Sequence, residues 1–296
     1  MHAAVITHLR CPVCRSGLSS ADRVLRCSQG HSFDLARQGY ADLSAGRPAH
    51  PGDTPEMVAA REALLTAGHF DVIAAAVSGA VSREPTGLLV EVGAGTAHYL
   101  ARALRPDDVG LAVDVSKAAL RRAARADPRI AAVRADVWQG LPLRDATATV
   151  VLDVFAPRSG AEFARVLRPG GALIVVTPTV GHLRELVTDL SLLGVDPAKR
   201  ERLAKSLDQW FTQESTQLLT TRLGLTRADA AALVGMGPSA WHIDPETIAT
   251  VIGRMPEPIP ATLAVELSIW RQKPAHEATG HQVERSTDSQ LGGTPW

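Results

Sequence analysis

The 296-residue sequence predicts an α/β fold, a doubly wound sheet preceded by a small N-terminal zinc-binding domain. Three observations point there. All cysteines lie within the first 27 residues, spaced as one metal ion would require. From Gly87 onward, short apolar runs alternate with helical segments, the pattern of a parallel sheet covered on both faces. The first of these runs leads directly into an acid followed by a glycine turn.

Composition sets the outer bounds. A hydrophobic content of 45% can fill a sizeable core. No run approaches the roughly 18 to 20 apolar residues of a membrane helix, and no basic segment with an apolar signal core opens the chain. A cytoplasmic protein without membrane contact is expected. Lys plus Arg and Asp plus Glu are equal at 31 each, so total charge announces no nucleic-acid partner. The distribution is more informative, because residues 1–50 contain six Arg against three Asp, with no Lys or Glu. Guanidinium groups suit forked phosphate contacts, although a solvated basic surface explains the same count equally well.

The first domain, residues 1–50, is expected to close around Cys11, Cys14, Cys27 and His31. An odd cysteine count argues against a disulfide framework. Two close pairs separated by twelve residues give three thiolates and one imidazole, a tetrahedral zinc set with no position left for water. The competing reading is three buried free cysteines with an unrelated histidine. Gly17 and Gly30 are expected at tight turns.

Residues 51–85 read as a helical linker, with Thr54 as cap and Pro55 in the first turn. Residues 86–273 form the main domain, and the polar residues 274–296 read as a disordered tail. Strands are expected at 88–92, 110–113, 130–133, 149–155 and 172–177, with Arg168-Pro-Gly-Gly171 as a turn before the last of these. The segment 182–234 reads as largely helical, and 264–271 as a late strand.

Candidate ligand-binding residues sit at the expected strand ends. Glu91, Gly93, Gly95, Thr96, Ala97 and His98 form the first turn, where missing Cβ atoms let a ligand approach the backbone. A dinucleotide site would prefer a third glycine where His98 stands. Asp114 follows at the second strand end and can accept from both ribose hydroxyls. Asp136, with Val137, follows at the third and could receive an adenine amino group. Three acids suit a neutral or cationic nucleoside, and for each one a helix-cap or loop role stays open. Asp153 and Phe155 end the fourth strand. Asp153 is a candidate general base, with a cap or cofactor-binding role equally open, and Phe155 is either a stacking surface or core. This order and spacing match the large class of Rossmann-like methyltransferases.

The motifs also resemble the family of 23S rRNA guanine-N1 methyltransferases, which includes housekeeping enzymes and tylosin-type macrolide-resistance enzymes. The match spans about residues 9–272. It rests on the zinc quartet, on His31-Ser-Phe-Asp34 through Tyr40, and on Pro51-Gly52-Asp53-Thr-Pro-Glu56-Met57 with Ala60-Arg61. It continues through Ala67-Gly-His-Phe70, Phe155-Ala-Pro157, Arg165-Val-Leu-Arg168-Pro-Gly-Gly171, Thr177-Pro178, His182-Leu183 and Ala240-Trp241. Ala97 departs from the commoner glycine. The resemblance implies an α/β, Rossmann-like class I methyltransferase with S-adenosylmethionine as donor, and a zinc module that helps hold a 23S rRNA hairpin. It also implies a homodimer and a possible role in macrolide resistance. Arg15, Arg23 and Arg26 would then meet RNA phosphates. The alternatives are a small-molecule methyltransferase and a non-catalytic ribosome-binding protein.

Overall fold

A computed structural model of the chain describes residues 1–44, 46, 52–190, 205–237 and 245–274. The expected tail beyond 274, together with Arg47, His50, Pro51, Ala240 and Trp241, lies outside the described residues.

A short helix α1 (Ala3–Ile6) precedes an antiparallel sheet of β1 (Leu18–Ala21), β2 (Val24–Cys27) and β3 (Ser32–Asp34). Asp22 and Arg23 form the two-residue turn between β1 and β2, both with positive φ, as a tight hairpin requires. Arg23 holds that turn by donating to the carbonyls of Leu35 and Ala36, the latter at 2.7 Å. Gly30 takes a left-handed turn conformation as expected, at φ +84°. Gly17 is not at a turn but pairs with Arg10 in an isolated antiparallel bridge, beside the guanidinium of Arg144.

The strand β4 (Ala41–Asp42) then leaves this small sheet and pairs in parallel with β7 (Ile130–Arg134) of the main domain. The main sheet also contains β5 (Leu88–Val92), β6 (Val109–Asp114), β8 (Ala148–Val154), β9 (Leu167–Pro178), β10 (Phe211–Leu225) and β11 (Ile259–Gln272). Their order is β10-β11-β9-β8-β5-β6-β7-β4. The chain winds outward from β5 to β7, then returns to lay β8 on the other side of β5. That reversal opens a crevice at the carboxyl ends of β5 and β8, where ligands of such sheets bind.

Alternation along each strand divides the core between two faces. On one face Leu89, Leu152 and Ile174 pack against α2 (Pro55–Thr66), α3 (Asp71–Val81) and α4 (His98–Ala103), through Leu64, Phe70, Ile73, Val77 and Leu100. Residues 55–81, expected as a linker, therefore cover the sheet. On the other face Val90, Leu111, Val133 and Leu173 meet Phe163 of α6 (Gly160–Val166) and, from the N-terminal module, Val5, Leu9, Leu25 and Leu43. The module thus shares the main core. Thr54 caps α2 as expected, accepting from the Met57 N–H at 3.3 Å.

One expectation needs correction. Residues 211–225 form the 15-residue edge strand β10, not helix, paired along its length with β11 except for a bulge at Glu214. The stretch 212–218 faces solvent on both sides, and alternation begins only at Leu219, with Leu223 and Leu225 on the same core-facing side, so the apolar period is too short to mark the strand. The Arg168–Gly171 segment falls within the bounds of β9 but pairs with neither neighbour. It loops out between Leu167, opposite Ala148, and Ala172, opposite Val150, with Gly170 at φ +77°, which is the turn expected before the strand at 172–177. Among the described residues no single helix is long and apolar enough to cross a membrane. The bent pair α2 and α3 passes by length and composition, but its apolar side chains are those buried under the sheet.

Candidate functional site

The N-terminal quartet converges. Cys14 Sγ lies 3.6 Å from Cys27 Sγ, and His31 Nδ1 lies 3.3 Å from Cys27 Sγ and 3.7 Å from Cys11 Sγ. All four donor atoms fall within 4.8 Å of one another. Zinc bonds of about 2.0 to 2.3 Å in a tetrahedron give edges of about 3.3 to 3.8 Å, so the donor set fits zinc. Each pair sits on a tight turn. Arg15 N–H donates to the Cys11 carbonyl and Gly30 N–H to the Cys27 carbonyl. Hydrogen bonds from Ser16 pull the Cys14 thiol down to about 6, toward the thiolate that a metal binds. Cys11, Cys14, Cys27 and His31 would thus hold the structural zinc of a ribbon.

The second site is the crevice beyond β5. Glu91, Gly93, Ala94, Thr96, His98, Val154 and Phe155 line a pocket there, joined from α2 and α3's approach by Arg61, Leu65 and Phe70. Gly93 and Gly95 have φ of +63° and +54°, and Ala97 caps α4 at φ 60°, ψ 30°. A Cβ on Gly93 would stand 2.6 Å from that of Ala156, so glycine alone lets the β5 and β8 loops approach this closely. Ala97 accepts the left-handed conformation that glycine usually fills.

The expected acids stand where the strands end, and each is engaged. Glu91 is buried and accepts from the Leu100 N–H at 3.1 Å; loss of solvent pushes its carboxyl up to about 8. Asp114 accepts from the N–H groups of Gly95 at 2.8 Å and Ser116 at 2.7 Å. Asp136 caps the 3-10 turn Val137–Gln139 by accepting from Trp138 N–H at 3.0 Å. Capping does not consume these groups, because a carboxylate accepts at about four positions. Burial lowers the pKa of His98, whose Nε2 has no partner among the described residues.

Asp153 does not join this set. Its side chain points to the face opposite Val154, is fully buried, and accepts from Arg158 Nε at 3.0 Å; Arg158 is itself only 5% exposed. Desolvation pushes Asp153 up to about 6. Phe155, at φ 55°, turns the chain into the pocket instead. Its ring lies 6.4 Å from that of Phe70 and 5.9 Å from that of His182. His182 Nδ1 accepts from the Ala264 N–H at 3.3 Å, and burial pushes the imidazole down to about 4. It is therefore neutral at pH 7, with its remaining ring proton on Nε2.

Sequence reasoning assigned no role to Arg61, Phe70 or His182. All three fall in segments that carried the family resemblance, which was the one available signal. Arg15, Arg23 and Arg26 all occupy exposed positions on the module, with Arg23 Nη2 also donating to the carbonyls of Leu35 and Ala36.

The donor set at the crevice fits a nucleoside with a cationic tail: left-handed glycines for close approach, two acids on adjacent strands and a buried third. Comparisons with known proteins agree. A zinc-ribbon model described as "RlmA, N-terminal" matches residues 9–44, and one described as "Methyltransferase domain" matches residues 90–175. A Micromonospora griseorubida protein named "Putative 23S rRNA (guanine-N(1)-)-methyltransferase" is 52% identical over 92% of this chain and 99% of its own. The Streptomyces fradiae 23S rRNA (guanine(748)-N(1))-methyltransferase is 45% identical over 93% of this chain and 100% of its own. A Bacillus subtilis relative, YxjB, is 30% identical over 81% of this chain and 89% of its own. The methyl donor of such a domain is S-adenosylmethionine. With identity of this depth across both the zinc ribbon and the donor crevice, the chain belongs to the family of 23S rRNA (guanine-N1)-methyltransferases.

Proposed function

We propose that this chain transfers a methyl group from S-adenosylmethionine to N1 of a guanine in a 23S rRNA hairpin loop. The observation that carries this is the end-to-end likeness to the Streptomyces fradiae enzyme, with ribbon and crevice both retained. That relative is named for guanine 748, and we assign the same position here. A cytoplasmic location, where ribosomal RNA is met, and protection against a macrolide belong to the same reading.

The residues divide the labour as follows. Asp114 receives the ribose hydroxyls, Asp136 and Val137 frame the adenine, and Gly93, Gly95, Thr96, Ala97 and His98 supply the close backbone surface. Glu91 faces the cationic end of the donor. When bound, S-adenosylmethionine would supply an activated methyl group, an N–C bond forming at guanine N1 as the S–C bond breaks and the neutral thioether leaves. Phe155, flanked by Phe70 and His182, offers a stacking surface for a base lifted from the loop. The His182 Nε2–H donates to the guanine carbonyl oxygen, where charge gathers as N1 loses its proton. Asp153 is a structural charge paired with Arg158, and water takes the N1 proton. Arg15 and Arg26 meet RNA phosphates.

Reverse transcription of 23S rRNA from cells with and without the protein tests this reading, because N1 methylation blocks base pairing. A stop at guanine 748 that depends on the protein is expected, and it persists with Asp153→Asn. Absence of any protein-dependent stop in 23S rRNA overturns the proposal. Loss of the stop with a folded Asp153→Asn protein would return the base role to Asp153.

A further inference from the structure

The donor carries one group that the three acids do not serve. Its methionyl tail ends in a carboxylate, which Glu91 and Asp114 would repel unless a cation stood between. Among the described residues lining the crevice, Arg61 is the one permanent cation. We infer that Arg61 binds the carboxylate of the methionyl tail, and that Asp53 holds it in position to do so. This rests on the reading of the crevice as the donor site.

Placement supports the assignment. Helix α2 lays the Arg61 stem across the glycine turn, with Cδ 3.4 Å and Nη1 4.0 Å from where a Cβ on Gly95 would stand. Among the described residues one corner of the guanidinium is engaged, Nη2 donating to Asp53 Oδ2 at 2.7 Å and to the Met236 carbonyl at 3.3 Å. Nε is buried and has no partner among the described residues. Native structures rarely leave a buried donor unmet, and a forked carboxylate contact would use it.

Asp53 is itself fixed from the other side of the crevice. Ser116, two residues after Asp114, donates its hydroxyl to the Asp53 carbonyl at 2.7 Å. A Cβ on Gly52 would stand 2.7 Å from the Ser116 Cα, so glycine is what lets this segment lie so close. The run Gly52-Asp53 thus ties the α5 cap (α5, Lys117–Ala123) to the guanidinium.

Calorimetry on the zinc-loaded full chain tests the inference with two probes that differ only in the carboxylate. These are S-adenosylhomocysteine and its decarboxylated analogue, S-adenosyl-3-thiopropylamine. Arg61→Ala is expected to weaken S-adenosylhomocysteine about tenfold or more while leaving the amine within about threefold. Arg61→Lys should recover part of the loss. An Arg61→Ala protein that binds both probes as the unmutated chain does, or loses both equally, overturns the assignment. Should the alanine variant fail to fold, Arg61→Gln is read by the same ratio. An unmutated chain that binds neither probe refutes the donor site itself, and the inference with it.

Discussion

Burial holds the Glu91 carboxyl at about 8 against an ordinary 4.5, so at pH 7 it carries a proton in the ligand-free protein. Between those two values the folded state binds more protons than the unfolded chain, and stability therefore falls as pH rises from about 4.5 to about 8. A cationic donor favours the ionised form, so its binding at pH 7 should release a proton and tighten as pH approaches 8. Calorimetry in buffers of different ionisation enthalpy checks this. Glu91→Gln should abolish the proton release, weaken donor binding and raise the thermal midpoint at pH 8 by a few degrees. Proton release that survives in Glu91→Gln would remove Glu91 from the role. Residue-scale legibility followed the range of the chemistry. The zinc quartet was readable because each ligand pair lies within five positions. Arg61 was not, because its meaning depends on Gly95 and Asp53, brought together only by folding. The burial of Asp153 beside Arg158 was equally invisible, since their ion pair forms across a strand end that periodicity cannot orient.

Elements were legible in proportion to how fully they are buried. The central strands β5, β6, β7 and β8 are continuous apolar runs because helices cover both faces, and their observed limits lie within about one or two residues of expectation. β10 escaped detection because its stretch 212–218 is exposed on both faces and needs no apolar period, leaving only Leu219, Leu223 and Leu225 to alternate. Its threonines, at 212, 216, 220 and 221, were the remaining signal. The loop entering α2 makes the most specific demand on a single element. Gly52→Ala would drive a Cβ against backbone of Ser116, with no flexible atom to yield. We expect about 1 to 3 kcal/mol of destabilisation, together with weaker S-adenosylhomocysteine binding as Asp53 moves. Denaturant melts and calorimetry read the two effects. Unchanged stability would mean that the loop relaxes away from α5 without consequence.

At the scale of the whole molecule, the ribbon and the donor crevice are one mechanical unit. β4 pairs with β7, Asp42 accepts from Arg134 at 3.0 Å, and the same Arg134 donates to the Val115 carbonyl beside Asp114. Two of the crevice acids thus sit at the ends of strands that the ribbon braces. Stripping zinc with a chelator should lower the thermal midpoint by about 10 °C or more and weaken S-adenosylhomocysteine severalfold. Linkage then requires the nucleoside to raise zinc affinity by the same factor. Equal nucleoside affinity with and without metal would show the two sites to be independent. The sequence marked both sites but not this coupling, because the strand pairing that carries it joins residues about 90 positions apart.

The shared core also imposes a timetable on synthesis. Leu43 leaves the ribosome 130 positions ahead of Leu173, against whose cluster it finally packs. At about 5 to 20 residues per second, the greasy underside of the metal-clamped module waits roughly 7 to 30 s for its cover. A nascent chain stalled before β9 is therefore the species most in need of a chaperone.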